Sequence, residues 1–516
     1  MAAVQTARAD PHGAPSGGRV RSAIGWSYVL TAGRVGSSIV VTFLLAKLLG
    51  PTEFGLVAMA TVFITIAQTI IQQGLVSAIV QRDKLTPEHL DGAFVVLVVA
   101  GLGIGLLTAA ASPLWALVNR APELTAICVA LSPLVLLQGL SIVPEAMLRR
   151  ELQFRAVAIR TLLASVCSGA VGVALALAGA GIWALVAQQL VNATVSLIVL
   201  WVVCPWRPSR RPRLSGIRDL LVFSAQSANA GLGLMLSSKA DIIVTGLFFG
   251  PVATGIYRLA SRLPDMLVDV TVRSLQQVAL PSLSRLQRDR RGFAAHLNQL
   301  QHLGAVAGLP VLGVLAATAQ PLVGLLGPQW AGTETPLRLL CLFGAVNVYG
   351  VLLGPALQAI GQPGKLAAIL WTRGVLGVAT LAAVGTLMTG RSAVAQATAV
   401  ALAGIGMQLT VTAIAVWVAV RRAAGASVAG FLTPTVPAAL AAVLATLTPL
   451  AVDRIGGDFG PVVGLLVLGG TASLVAGAVL WATDARLRRL VLARLPRARR
   501  RSRPAPPDPV PADPAV

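Results

Sequence analysis

Two octapeptides, Leu48–Gly55 (LLGPTEFG) and Phe248–Gly255 (FFGPVATG), share the pattern Gly-Pro-x-x-x-Gly. Proline suits the first turn of a helix, where its missing N–H leaves nothing unpaired, and a glycine before it permits a tight reversal. Each octapeptide therefore reads as the turn of a helical hairpin, with Gly50, Pro51 and Gly55 in one copy and Gly250, Pro251 and Gly255 in the other. The likeness runs on. GLVAMATVF from Gly55 falls against GIYRLASRL from Gly255, Pro113-Leu114 against Pro321-Leu322, and Pro144 against Pro355. A need for turn residues explains each site alone but not the common spacing, so the chain reads as a duplication.

The setting of that duplication is a bilayer. Of 516 residues 56% are hydrophobic and only 12% charged, where soluble proteins carry about a quarter charged residues. About fourteen runs are long enough to cross the hydrocarbon, each needing roughly 20 residues as a helix. They cover 24–47, 55–80, 93–117, 126–146, 158–179, 181–203, 220–247, 254–281, 302–325, 338–360, 366–388, 393–420, 433–452 and 460–482. The short alternating segments of a membrane β-barrel are absent. Six runs separate the two Gly-Pro turns, so both copies cross in the same direction. The expected fold is an all-α integral membrane protein of two six-helix lobes in parallel repeat, with two extra C-terminal helices. The corresponding segments are a disordered N-terminus (1–20) without the apolar core of a signal peptide, an N-lobe (21–204), a basic linker (205–219), a C-lobe (220–422), helices 13 and 14 (433–482) and a basic, then Pro-rich, tail (483–516).

Lysine and arginine concentrate in the loops after even-numbered helices, notably Arg149 to Arg160, Arg207 to Arg218 and Arg285 to Arg291. By the positive-inside rule both termini are cytoplasmic. The net charge of +22 is thereby consumed by inner loops and by the tail DARLRRLVLARLPRARRRSR, which reads as a contact for anionic lipid headgroups rather than for nucleic acid.

Charged groups inside a membrane are costly and mark functional candidates. On the eighth helix Arg258, Arg262, Asp265, Asp269 and Arg273 follow spacings that place them on one stripe. Lys239 and Asp241 fall near mid-depth on the seventh helix, and Arg34 and Arg373 lie on the first and eleventh. The stripe must face another helix or a watery cavity. Arg262 with Asp265, and Asp269 with Arg273, also sit at neighbour spacing and could neutralise one another. Proline at 133, 144, 264, 310 and 355 is expected to bend or end helices, with Pro264 beside the stripe.

The segments AKLLGPTEFGLVAMATVFITIAQTIIQQGLVSAIVQRDKLT, SKADIIVTGLFFGPVATGIYRLASRL and VALPSLSRLQRD resemble the polysaccharide-transporter, or oligosaccharide flippase, branch of the multidrug/oligosaccharidyl-lipid/polysaccharide export superfamily. The resemblance covers most of the chain from Arg21 to Arg422 and implies a multidrug-exporter-like two-lobed fold. It further implies a bacterial inner-membrane protein that flips a polyprenyl-diphosphate-linked oligosaccharide by alternating access, working beside polysaccharide polymerase and export machinery. In that light Arg34, Lys239, Arg258, Arg262, Arg273 and Arg373 are candidates to line a cationic cavity for the diphosphate. Asp241, Asp265 and Asp269 are candidates for ion coupling or charge balance.

Two other readings compete. An ion-coupled multidrug or organic-cation antiporter of the same superfamily would want carboxylates in its N-lobe, where the spans hold only Glu145. A membrane-embedded glycan polymerase or ligase would need catalytic groups on a long outer loop, and the longest runs only from Leu326 to Leu337. The cysteines and histidines show neither disulfide nor metal spacing, no nucleotide-binding loop occurs, and no cofactor is expected.

Overall fold

The computed structural model describes residues 36–81, 87–150, 153–209, 217–423, 425, 427–454 and 460–494. Every regular element among them is helical. Twelve described helices are long and apolar enough to span a bilayer, against the fourteen runs expected, and α1 (Gly36–Leu48) is a shorter apolar helix. The first run is described only from Gly36, and the seventh and eighth are joined in one element, so the difference lies there. After α1 come α2 (Pro51–Gln81), α3 (Pro87–Val118), α4 (Glu123–Leu131), α5 (Pro133–Arg150), α6 (Phe154–Leu177), α7 (Ile182–Val203) and α8 (Ile217–Val268). Within α8 the backbone leaves helical geometry at Gly250, with φ 77° and ψ −169°, a conformation that glycine alone adopts readily. Gly50 makes the equivalent turn differently. Its N–H donates to Glu53 Oε2 at 3.0 Å, so a carboxylate three residues on caps the start of α2.

The two Gly-Pro motifs face each other. A Cβ on Gly55 would stand 1.8 Å from the Pro251 carbonyl oxygen, and one on Gly255 would stand 1.8 Å from that of Pro51. α2 therefore crosses the later arm of α8 backbone to backbone, through a reciprocal pair of contacts with local two-fold character. The repeated motif is its own partner.

A second contact closes the same end of the bundle. The short 3-10 helix Pro328–Trp330 reaches across from the C-lobe, and the Trp330 indole N–H donates to the Ala46 carbonyl at 2.7 Å. Its ring meets Phe54 edge-on at 5.5 Å, and Gln329 Nε2 donates to the Lys47 carbonyl at 3.3 Å. Trp330 and Ala46 are both fully buried. Truncating a buried aromatic costs about 3–5 kcal/mol, here charged against the closed end. Trp330→Ala is therefore expected to raise the labelling rate of Ala46→Cys by a water-soluble thiol reagent at least tenfold, in a protein that still purifies as a single species. Unchanged protection of that cysteine would show that the contact does not hold the end shut.

Elsewhere the packing follows the repeat. One buried cluster runs from Leu45 to Val186, and another joins α8 to residues between Leu315 and Ala401. The two extra helices, within Val436–Thr446 and Pro461–Thr483, dock on the helix Arg290–Ala317 through an alanine seam at Ala317, Ala441, Ala445, Ala472 and Ala476. Small residues allow close approach where lipid offers no hydrophobic drive. The start of the basic linker is structured. Arg207 donates to the carbonyls of Cys204, Trp206 and Trp201 and lies over the Trp201 ring, so it caps the C-terminal end of α7. The four cysteines are free, with Cys167 exposed and the others buried.

Candidate functional site: a cationic chamber between the lobes

α8 brings the expected charges together because its two arms fold back on each other at Gly250. Lys239 precedes that turn by eleven residues, and Arg258 and Arg262 follow Pro251 by seven and eleven. At 1.5 Å per residue all three lie about 10–17 Å from the turn, close to mid-depth in a hydrocarbon layer about 30 Å thick. They meet in a cavity of about 420 Å³ between the lobes. Its opposite wall is neutral: Ser38 and Thr42 of α1, Thr61 and Thr65 of α2, and Gln188 and Gln189 of α7. Among the described residues no carboxylate lines this chamber. Among the described residues the side chains of Lys239, Arg258 and Arg262 make no hydrogen bond or ion pair. The result is a concave site lined by three cations, with Asp241, Asp265 and Asp269 acting on them from the adjoining cavity, suited to a compact polyanion that arginine can grip in bidentate fashion.

A second cavity of about 400 Å³ lies within the C-lobe and carries the rest of the stripe. Arg258, Arg262, Asp265 and Asp269 line it together, joined by Lys239, Asp241, Arg373 and Asn347. The neutralising pair expected at Arg262 and Asp265 is not formed. Nor does Asp241 pair with Lys239: Tyr257 donates its hydroxyl to Asp241 Oδ2 at 2.9 Å. The chain stays helical through Pro264, and the irregularity falls instead at the π-helical turn Asp269–Arg273. Arg34 lies outside the described residues, as does the side chain of Arg273.

A third cavity, of about 470 Å³, opens in the N-lobe and shares Ser38, Gln188, Gln189 and Arg262 with the first. Ten of its seventeen lining residues are neutral hydrogen-bonding side chains, so its character is amide and hydroxyl rather than ionic. Its one carboxylate, Glu145, accepts from Arg160 Nη1 at 3.0 Å. Sequence reasoning missed this chamber because it searched the spans for charge. The visible signal was a set of glutamines and asparagines, Gln68, Gln138, Gln188, Gln189 and Asn192, inside apolar helices. Arg262 lines all three cavities.

The chain matches the family described as polysaccharide biosynthesis protein over residues 44–334. It is 29% identical over 367 residues to the succinoglycan biosynthesis transport protein ExoT of Rhizobium meliloti (strain 1021), covering 70% of this chain and 73% of that one. It is 26% identical over 383 residues to the teichuronic acid biosynthesis protein TuaB of Bacillus subtilis (strain 168), covering 72% and 78%. Among solved structures, the lipid II flippase MurJ in an inward closed conformation superposes with a TM-score of 0.69 at 13% identity, over 90% of this chain and 99% of that one. An inward-facing multidrug resistance transporter of the MATE family gives 0.54 at 16%, over 75% and 93%. These likenesses establish the two-lobed transporter fold. The match over residues 44–334, more than half of the chain, places this multi-pass membrane protein in the polysaccharide biosynthesis protein family.

Proposed function

We propose that the protein is a flippase that carries a polyprenyl-diphosphate-linked oligosaccharide across the bacterial cytoplasmic membrane. The observation that carries this reading is the chamber between the lobes, with three cations at mid-depth and, among the described residues, no carboxylate. A diphosphate is a small, doubly ionised group, and a preformed cationic pocket lowers the cost of bringing it into the bilayer. The relatives' names, a succinoglycan biosynthesis transport protein and a teichuronic acid biosynthesis protein, support the same class of cargo. Antiport of organic cations is disfavoured by the pairing of Glu145 with Arg160, since the carboxylate that lines the N-lobe chamber already has its counter-ion.

With both termini in the cytoplasm, the Gly-Pro crossing and the Trp330 contact lie at the outer face, so this state is shut outward and receives its cargo from within. Alternating access follows by parting that end and closing the other. The chain contributes binding and movement, not bond-making. The cargo is delivered to the outer leaflet for a polymerase and exporter, while basic residues of the helix Ala485–Arg494 meet anionic lipid on the inner face.

Purified protein in liposomes containing a fluorescent polyprenyl-diphosphate oligosaccharide tests this. The label should reach the opposite leaflet at least tenfold faster than in protein-free liposomes. No acceleration across several glycans would overturn the proposal.

A further inference from the structure

We propose that the N-lobe chamber is a glycan subsite, separate from the diphosphate subsite between the lobes and joined to it at Arg262. The inference rests on the flippase reading and adds where the sugar is held and by what chemistry. Three observations carry it. The first is composition: a sugar presents hydroxyls that both donate and accept, and amides with hydroxyls are their neutral complement. The chamber offers ten such side chains.

The second is satisfaction. Some of these groups have structural partners. Gln189 bonds Thr61 at 3.0 Å, and Asn192 bonds Ser168 at 3.2 Å. Gln138, Gln188 and Ser196 make no side-chain hydrogen bond among the described residues. An unpaired amide sealed in an apolar core is expensive, so these groups must meet water or a polar ligand. The third is adjacency. The first sugar of the cargo is bonded to its diphosphate, so the two subsites must touch, and these share a wall of Ser38, Gln188, Gln189 and Arg262. The C-lobe chamber fits the sugar less well, because Asp241, Asp265, Asp269 and Arg373 give it a mainly ionic lining.

The chamber therefore reads glycan size and hydroxyl pattern, while the cations read only phosphate. Two probes separate these roles on the full chain in lipid nanodiscs: farnesyl diphosphate, and farnesyl diphosphate bearing a tetrahexose on its terminal phosphate. The glycosylated probe should bind about tenfold more tightly, the worth of one or two net hydrogen bonds. Gln138→Leu with Ser196→Ala, both confined to the N-lobe chamber, should reduce that advantage to less than threefold while leaving the affinity for farnesyl diphosphate unchanged. Ser141→Cys, a near-isosteric change inside the chamber, supplies a measurement independent of the double variant's folding. Its alkylation should be slowed at least fivefold by the glycosylated probe and not by farnesyl diphosphate.

Equal affinity for the two probes, or unprotected Ser141→Cys, would overturn the glycan subsite and leave the diphosphate site standing. Equal loss of both probes in the double variant would overturn it as well, by assigning these two side chains a general structural role. Failure of the wild-type chain to bind either probe would overturn the flippase reading itself, and the subsite with it.

Discussion

Gly255→Val is expected to reduce flipping to below a tenth of the wild-type rate. The position has room for a hydrogen atom and nothing more. An added Cβ falls 1.8 Å from the backbone oxygen of Pro51, and a carbonyl, unlike a side-chain tip, cannot swing aside. The two helices must separate by more than an ångström, and overpacking of this kind costs about 1–3 kcal/mol. That cost applies to the outward-shut state and is relieved when the end opens, so it shifts the conformational equilibrium by about tenfold to a hundredfold. Gly55→Val should do the same through the Pro251 carbonyl. Because both changes wedge one crossing, the double variant should be little worse than either single one, a clear departure from additivity. Liposome flipping rates together with thiol accessibility of Ala46→Cys provide the check. Normal transport in Gly255→Val would mean that this crossing does not form during the cycle.

Arg262→Gln is the second substitution with a large expected effect, because Arg262 alone borders all three cavities. It removes a charge that makes no direct ion pair among the described residues. A charge-assisted hydrogen bond is worth about 1.5–3 kcal/mol, so affinity for farnesyl diphosphate should fall about tenfold to a hundredfold, with a comparable loss in initial flipping rate. Arg262→Lys should recover only part of the loss, since an ammonium keeps the charge but not the planar fork. Arg258→Gln and Lys239→Gln should weaken the same binding too, because each, like Arg262→Gln, leaves only two cations in the chamber. Titration of the purified variants with farnesyl diphosphate measures this directly. An affinity unchanged in Arg262→Gln would remove the central cation from the mechanism.

The fold was written in the sequence chiefly through Gly50, Pro51, Gly250 and Pro251. Turn chemistry is local, and a repeated local signal at fixed spacing survives without knowledge of the packing. The reciprocal contact of Gly55 and Gly255 was not legible. Nothing in a lone glycine says which backbone it must admit. The charged stripe could be placed because intramembrane charge is rare, and Arg258, Arg262, Asp265 and Asp269 do share a cavity. Which charges cancel was not readable, since it turned on Tyr257, a residue sixteen positions from Asp241 that takes the carboxylate for itself. Gln138 and Gln188 went unnoticed for a simpler reason. Neutral amides carry no charge to mark them within a span, although in the folded bundle they converge from different helices. Arg207, counted among loop charges, lies in the loop and also caps α7, a role its charge alone did not reveal.

The crossing of α2 with α8 also bears on how the protein changes state. Where helices meet through long side chains, rotamers can follow a gradual separation and keep part of the contact. At Gly55 and Gly255 there are no side chains to follow, and dispersion between bare backbones loses about a quarter to a half of its strength over a gap of roughly 0.5–1 Å. Half-opened arrangements therefore lose much of the cohesion of the sealed one. A leaflet-to-leaflet carrier gains from that abruptness, because a partially parted end would let ions leak around the cargo.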